Sequence, residues 1–209
     1  MWVERLRDGQ KIVVRPIRPE DRDELAAGLG RLSPESRYSR FFTPTDGLSA
    51  SELTYLSEVD HHDHEALVAL EPETEHGIGV ARFVRSPEDP ESAEVAVAVA
   101  DSWHNRGVAT ALLGRLTQRA RDEGVRRFSA EILAHNQPML DLIDELGDVT
   151  MRHLDHGTSR WRWSCRPRGL ARRCASPCER PRASSCVSRR CAVERTIRSG
   201  ARPTAASSA

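Results

Sequence analysis

The sequence predicts an α/β fold of the α+β type, with a mixed, mostly antiparallel central sheet that carries helices on both faces. Short β-branched runs alternate along the chain with stretches of helical periodicity. The strands cluster early and are followed by a β-α-β-α-β-β order, which favours a mixed sheet. An abrupt change in charge near Cys165 limits this prediction to residues 1–164.

The net charge of zero averages two unlike segments. Residues 1–164 carry a formal charge of −9 and no cysteine, whereas residues 165–209 carry +9 and all five cysteines. We therefore expect one domain over residues 1–164 and a separate tail over residues 165–209. The cysteine-free core excludes a disulfide scaffold and a cysteine nucleophile.

Residues 165–209 are rich in Arg, Ser, Ala and Cys and hold few large apolar side chains. Such a segment cannot bury enough apolar surface to offset the entropy of ordering, so we expect a disordered tail. The composition also fits a reading-frame shift in a GC-rich gene, which the nucleotide sequence at the boundary would decide. The tail lacks the aromatic residues of single-strand binding platforms, so nucleic acid is not an expected partner.

The first third of the chain predicts one strand and three helices. The β-branched run Lys11 to Pro16 predicts a strand, and Pro19 begins a helix that extends to about Leu29. Ser33 caps a short helix toward Phe41-Phe42, and either Ser49 or Ser51 caps a third.

Three strands are expected next, over residues 65–70, 77–83 and 91–99. The last one alternates between valine and small residues, so Val95, Val97 and Val99 share one face. Glu94, Ala96, Ala98 and Ala100 share the other face.

The remaining elements are two helices, one strand and a hairpin. Apolar residues at helical spacing predict a helix over residues 107–123, ended by Gly124. A strand over 127–132, a helix over 137–146 and a hairpin over 149–163 follow, the hairpin turning at residues 155–157.

No segment has the length of a membrane span. The longest aliphatic run, Val95 to Ala100, is far shorter than the roughly 20 residues that cross a bilayer. Charged residues interrupt the first eleven positions, so they do not form a signal peptide. We therefore expect a cytoplasmic protein without a membrane partner; the oligomeric state is left open.

The segment Val95 to Thr110 predicts an anion site. It reads as a strand, a short loop and a helix whose first turn holds Gly107, Ala109 and Thr110. Unpaired N–H groups and partial positive charge at a helix start can hold a pyrophosphate, and small residues let the phosphates approach. A plain turn at Gly107 is the alternative.

These residues resemble the signature of the GCN5-related N-acetyltransferase superfamily, Gln/Arg-x-x-Gly-x-Gly/Ala after a strand. Trp103-His104-Asn105-Arg106-Gly107-Val108-Ala109 matches its small-residue positions, and His104 replaces the first Gln or Arg. His104 is either a substitute phosphate donor or an exposed loop histidine.

Two further segments extend the resemblance over about residues 10–164. Asn136 and Gly147 are similar to the family's later motif, an Asn before a helix that ends in Gly-Phe. Ser36-Arg37-Tyr38-Ser39-Arg40-Phe41-Phe42 resembles the branch that contains bacterial protein-lysine acetyltransferase domains.

The resemblance implies acetyl-CoA as cosubstrate and direct transfer to an amine, either a protein lysine or a small cationic compound. The acidic domain would also favour a cationic acceptor. The residues that would bind the cofactor are Val97, Ala98, Val99, His104, Asn105, Arg106, Gly107, Val108, Ala109, Thr110 and Asn136. Asn136 also fits a helix cap.

Direct transfer requires a base for the amine. Glu94 is the candidate, because the alanines on its strand face leave room for substrate, and Glu131 is the reserve. A solvated Glu94 is the alternative. The resemblance places Ile143 where the family often has a proton-donating tyrosine. A catalytically silent acyl-CoA sensor is therefore the second hypothesis for the function.

No metal is expected. His61-His62-Asp63-His64 looks like a metal cluster, but neighbouring side chains of an extended chain point to opposite sides. A solvated turn fits better. The cysteines of the tail also lack the paired short spacing of zinc ligands.

Overall fold

The fold is described from a computed structural model that covers residues 1–45, 47–155 and 157–165. Its centre is an eight-stranded sheet in the order β1-β2-β3-β4-β5-β6-β8-β7. Neighbouring strands run antiparallel except β5 and β6, which are parallel. The strands are β1 (Trp2–Arg5), β2 (Lys11–Pro16), β3 (His64–Leu70), β4 (Gly77–Arg85), β5 (Ser92–Val99), β6 (Arg127–Leu133), β7 (Val149–Asp155) and β8 (Thr158–Ser164).

Within the described ranges, five α-helices connect the strands. They are α1 (Arg22–Gly30), α2 (Pro34–Phe41), α3 (Ala50–Ser57), α4 (Val108–Asp122) and α5 (Gln137–Leu146). Short 3₁₀ turns at Pro19–Asp21 and Asp101–Trp103 precede α1 and α4. Within the described part of the chain, no helix combines the length and apolar character of a membrane span.

The sheet has a hydrophobic core on each face. The larger core joins α4 and α5 to the sheet and includes Leu112, Leu116 and Phe83, all fully buried. The smaller core holds Ile17 and Val68, against which Leu25 of α1 packs. Because the two cores share β3 and β4, both helix layers depend on the same sheet.

This architecture confirms the predicted fold class, a mostly antiparallel sheet with helices on both faces. The predicted helices and strands are present with small shifts at their ends. Ser49 is the cap of α3: its hydroxyl accepts from the Glu52 N–H while Glu52 accepts from the Ser49 N–H.

The sequence analysis missed one strand. β1 pairs with β2 from Trp2↔Val14 to Arg5↔Lys11. This edge strand is short and half exposed, and the guanidinium of Arg115 lies over the Trp2 ring, 5.5 Å from its centroid. Besides its pairing with β2, β1 is therefore held by a contact with α4, far along the sequence.

The predicted boundary at residue 165 adjoins the end of β8. Cys165 is 2% exposed in the larger core, and its N–H donates to the Arg126 carbonyl over 2.9 Å. The rest of the predicted tail lies outside the described residues.

Candidate active site

The parallel strands β5 and β6 pair over only part of their length. Their register runs from Ser92↔Arg127 to Glu94↔Ser129 and stops there. Beyond Glu94 a cleft of about 400 Å³ opens between β5, β6, α2 and the start of α5. Both Ala96 and Glu131 line it. An open gap in the sheet is therefore available to a ligand.

The edge of β5 faces this gap without a partner strand. The Ala100 N–H donates to the Ile78 carbonyl, so by alternation the even-numbered residues of β5 bond to β4. The peptide groups of Val97 and Val99 consequently face away from β4 and toward the cleft. Ala98 differs, because its peptide group faces β4 while its methyl group lines the cleft.

Helix α4 begins beside the same gap. Gly107 is the N-cap, with a φ of 98°, and no side chain caps the helix start. The Ala111 N–H is the first to reach a helical carbonyl, that of Gly107 at 3.0 Å. The preceding amides, from Val108 to Thr110, therefore form a positive helix start with no acidic residue in its first turn.

A crevice of about 500 Å³ joins the edge of β5 to this helix start. Val97 and Val99 line one end, and Asn105, Gly107, Val108, Ala109 and Thr110 line the other. The crevice and the cleft share Val97, Val99, His104 and Asn136. The structure thus brings most of the predicted cofactor residues into one connected space.

Arg7 is a lining residue that the sequence analysis missed. It reaches the crevice from the β1–β2 connection, and its N–H donates to the Arg106 carbonyl over 3.2 Å. Its guanidinium lies 3.7 Å from the Glu145 carboxylate. No local pattern marks Arg7, because its position beside Gly107 depends on the packing of β1 against the sheet.

His104 lies between the cleft and the crevice. Its Nε2 donates to the Val99 carbonyl over 2.8 Å, and its Nδ1 is 3.9 Å from the Asp101 carboxylate. The sequence analysis offered two alternatives for His104, a phosphate donor or an exposed loop histidine. The structure places the side chain at the predicted site, where it is hydrogen-bonded within the protein.

Asp101 ties the loop before α4 to helix α2. Its carboxylate accepts from the Ser33 N–H at 2.6 Å and from the Ser36 hydroxyl at 2.5 Å. These hydrogen bonds hold the pKa of Asp101 below its usual value, although burial opposes the shift. Asp101 therefore remains charged and fixes the wall of the cleft.

Asn105 and Arg106 behave differently within the loop. Asn105 has a φ of 59° and lines the crevice. The Arg106 side chain bonds to Asp8 at 2.6 Å and to Gln10, and it stacks over the Trp103 ring. Its side chain is committed to the protein, so only its main chain lies near the helix start.

Asn136 caps α5 and also lines both spaces. Its side-chain oxygen accepts from the Met139 N–H over 3.3 Å. The helix cap considered from the sequence is present, and Asn136 also lines both spaces, where contact with the cofactor stays a prediction.

The two candidate bases differ in their surroundings. Glu94 is exposed in the cleft, at the last paired position of β5 and β6. Among the residues that the structure covers, Glu94 has no hydrogen bond or ion pair. Glu131 also lines the cleft, but its carboxylate accepts a hydrogen bond from Arg160. Glu94 is therefore the freer carboxylate.

Ile143 is 0% exposed and packs in the larger core. The residues of α5 that line the crevice are Pro138, Met139, Asp141, Leu142 and Glu145. Ile143 thus contributes packing between α5 and the sheet.

The histidines of the predicted turn point to separate partners. His61 bonds to the buried Glu65 at 2.7 Å, and His62 bonds to Glu123 at 2.5 Å. His64 accepts from Arg82 over 3.2 Å. Within the described ranges, no group of three His, Cys, Asp or Glu side chains could hold a metal ion.

A family model described as an acetyltransferase (GNAT) domain matches residues 11–148. Acetyltransferase Pat of Mycolicibacterium smegmatis is 37% identical over 150 residues, which cover 70% of this chain and 44% of that protein. The chain thus spans less than half of that relative. Acetyltransferase PA5475 of Pseudomonas aeruginosa is 34% identical over 159 residues, covering 75% of this chain and 85% of the relative.

A solved structure agrees with these matches. The GNAT domain of S. lividans PAT superposes with a TM-score of 0.72 at 32% identity. The match covers 78% of this chain and 96% of that domain.

Proposed function

The chain belongs to the acetyltransferase (GNAT) family and is an acyltransferase, and from this premise we propose that it transfers an acetyl group from acetyl-CoA to a primary amine. The amine attacks directly, without an acyl-enzyme. The acceptor is a protein lysine or a small amine, in keeping with the resemblance of Ser36 to Phe42 to protein-lysine acetyltransferase domains.

One observation carries this proposal. The edge of β5 at Val97 and Val99 has no partner strand, and a single crevice connects it with the uncapped start of α4. His104 occupies the Val99 carbonyl, so the peptide groups offered to a ligand are those of Val97 and the Val99 N–H. A pantetheine arm has amide groups that can pair with such an edge, and a diphosphate suits such a helix start. Because both features line one crevice, they support a ligand that carries both groups.

Several groups of the chain would hold the cofactor. The amides of Val108, Ala109 and Thr110 would bind the diphosphate, and the Thr110 hydroxyl could donate as well. Arg7 adds a cation to this end of the crevice. When bound, acetyl-CoA supplies the acetyl thioester that the amine attacks.

Glu94 would remove the proton that the amine must lose. Its exposed carboxylate stands where β5 and β6 separate, and the methyl groups of Ala96 and Ala98 leave the cleft open beside it. As the nitrogen–carbon bond forms, the carbon–sulfur bond breaks, and Glu94 accepts the proton from nitrogen.

The departing thiolate would take its proton from water. Ile143 has no proton to give and lies in the core. The buried Ile143 also motivates the second candidate function, an acyl-CoA sensor without turnover. Thiol release that depends on an added amine would exclude the sensor.

Calorimetry with acetyl-CoA tests the proposal. We expect Gly107→Glu to abolish binding, because its carboxylate would stand at the helix start and repel the diphosphate. Gly124→Glu is the matched control: it places the same side chain at a glycine with a φ of 83° at the other end of α4, in open space. Equal affinity in wild type and Gly107→Glu would refute the cofactor site.

The role of Glu94 is tested on the same protein. Glu94→Gln should bind acetyl-CoA like wild type, while amine-dependent thiol release falls by roughly 10²–10⁴-fold. Glu131→Gln should lose less, because Glu131 is already paired with Arg160. A larger loss in Glu131→Gln would reassign the base.

A further inference from the structure

A second cavity lies beside the cleft, between helices α1 to α3 and the sheet. Its volume is about 90 Å³, and apolar side chains, leucines above all, form most of its wall. The cavity and the cleft share Leu32, Arg40 and Ala98, so the two spaces meet at Arg40. Arg40 belongs to the Ser36–Phe42 segment, to which the proposed cofactor site gives no role.

Two arginines line this cavity, Arg40 of α2 and Arg82 of β4. The Arg40 guanidinium lies 5.0 Å from the centroid of the Phe41 ring. Within the part of the chain that the structure describes, Arg40 has no hydrogen bond and no ion pair. Arg82 is 6% exposed and donates to the Leu56 carbonyl at 3.3 Å and to His64 Nε2 at 3.2 Å. Both acceptors are uncharged.

The acidic residues of the cavity are already neutralised. Asp21 bonds to two nitrogens of Arg15, each at 2.7 Å. Glu24 bonds to Arg31 at 2.5 Å and to the Gly77 N–H at 2.6 Å. Neither carboxylate is therefore left to balance Arg40 or Arg82.

The charged forms of Arg40 and Arg82 are destabilised in these surroundings. Burial lowers the pKa of Arg82 to about 10, and the charge of Arg40 contributes to the shift. Burial also lowers the pKa of Arg40, and the Glu94 carboxylate partly offsets the effect. A buried cation without a carboxylate is costly, and an arginine fork matches a carboxylate in shape and charge.

We propose that the acceptor of this enzyme carries a carboxylate, which binds Arg40 and Arg82 while the acceptor amine faces Glu94. This proposal rests on the proposed transfer to an amine and specifies the acceptor. The carboxylate belongs either to a small amino acid-like compound or to an acidic side chain beside a target lysine.

The test compares acceptors that differ only in this charge. One arm uses ω-amino acids of three to six carbons and their amides; the other uses acetyl-Asp-Lys-amide and acetyl-Asn-Lys-amide. With acetyl-CoA present, we expect kcat/KM for thiol release to favour the carboxylate by at least about tenfold in one arm. The arm that shows the preference identifies the source of the carboxylate.

Arg40→Gln should remove the preference, because kcat/KM should fall at least about tenfold further on the carboxylate acceptor than on the neutral one. Arg40→Lys keeps the charge and should retain part of the preference. Arg22→Gln is the control, because it removes an arginine of α1 that does not line the cavity. Equal rates on both acceptors in both arms, or equal losses on both in Arg40→Gln, overturn the proposal.

A binding measurement keeps this test separate from that of the proposed function. The carboxylate acceptor that is preferred in turnover, an ω-amino acid or acetyl-Asp-Lys-amide, should raise the Tm of wild type but not of Arg40→Gln. No Tm shift with any carboxylate acceptor of either arm, in a protein that releases thiol with the neutral acceptors, would exclude the carboxylate site. A Tm shift without thiol release from any amine would support the carboxylate site and refute the proposed acetyl transfer.

Discussion

Burial changes the chemistry of single residues most clearly at His64, the first residue of β3. Its ring is 9% exposed, lies 4.9 Å from the ring of Tyr55 and accepts from Arg82. Burial, with a smaller contribution from the charge of Arg82, lowers the pKa of His64 to about 4. The imidazole is consequently neutral in the folded protein under conditions in which an unfolded chain would protonate it.

This pKa shift predicts acid sensitivity. The pKa of His64 is lower in the folded chain than in the unfolded chain, where it is about 6.5. The contribution of neutral His64 to the free energy of unfolding is therefore complete above pH 6.5 and is lost as the pH falls toward 4. His64→Gln keeps an acceptor for Arg82 without the titration. In urea unfolding between pH 6.5 and about 4, we expect the free energy of unfolding of wild type to fall by up to about 3 kcal/mol more than that of this variant.

His76→Gln is the control, because its side chain is 66% exposed. It should follow the wild-type curve. Parallel curves for wild type and His64→Gln would show that folding does not lower the pKa of His64.

At the scale of elements, α5 and β8 meet at Gly147. This residue follows the last turn of α5, and an added Cβ would lie 2.5 Å from the Ser164 carbonyl oxygen and 2.9 Å from Trp163. Its φ of −167° is ordinary extended backbone, so contact with β8, rather than conformation, selects glycine. The helix that ends at this contact itself lines the crevice.

Gly147→Ala should therefore destabilise the protein by about 1–3 kcal/mol, because backbone of β8 or α5 must move. Gly114→Ala, in the middle of α4 with open space around its Cα, should instead stabilise it by up to about 1 kcal/mol. Denaturant unfolding of the two variants measures both effects. A Gly147→Ala protein as stable as wild type would mean that β8 tolerates a wider gap.

At the scale of the whole molecule, the two cores share one sheet. Leu112 packs on one face, and Val68, from β3, packs on the other. All four tryptophans lie in or against the larger core, so their fluorescence reports that face. A sheet common to both layers couples their unfolding.

Val68→Ala should lower the midpoint of unfolding by the same amount whether tryptophan fluorescence or circular dichroism follows the transition, although Val68 lies on the opposite face. The expected loss is about 2 kcal/mol, from two buried methyl groups and the space they leave. Leu112→Ala, which removes a buried side chain of the tryptophan face, is the reference. Separate midpoints for the two signals in Val68→Ala would show that the layers unfold independently.

Local patterns in the sequence specified most elements and the helix start. The valine alternation of β5, the caps Ser33 and Ser49 and the small residues at Gly107 and Ala109 each act within a few positions. Such patterns depend on backbone geometry alone, so they can be seen without the fold. The sequence therefore located the candidate cofactor loop and the strand beside it.

Only the tertiary structure decided which charges are free. Glu94 and Glu131 look alike in the sequence, but Arg160 pairs with only one of them. Asp101 binds Ser33 across 68 residues, and Arg40 meets Arg82 in a cavity whose acids are already paired. Charges act through space, and the folded chain sets the distances between residues that the sequence keeps far apart.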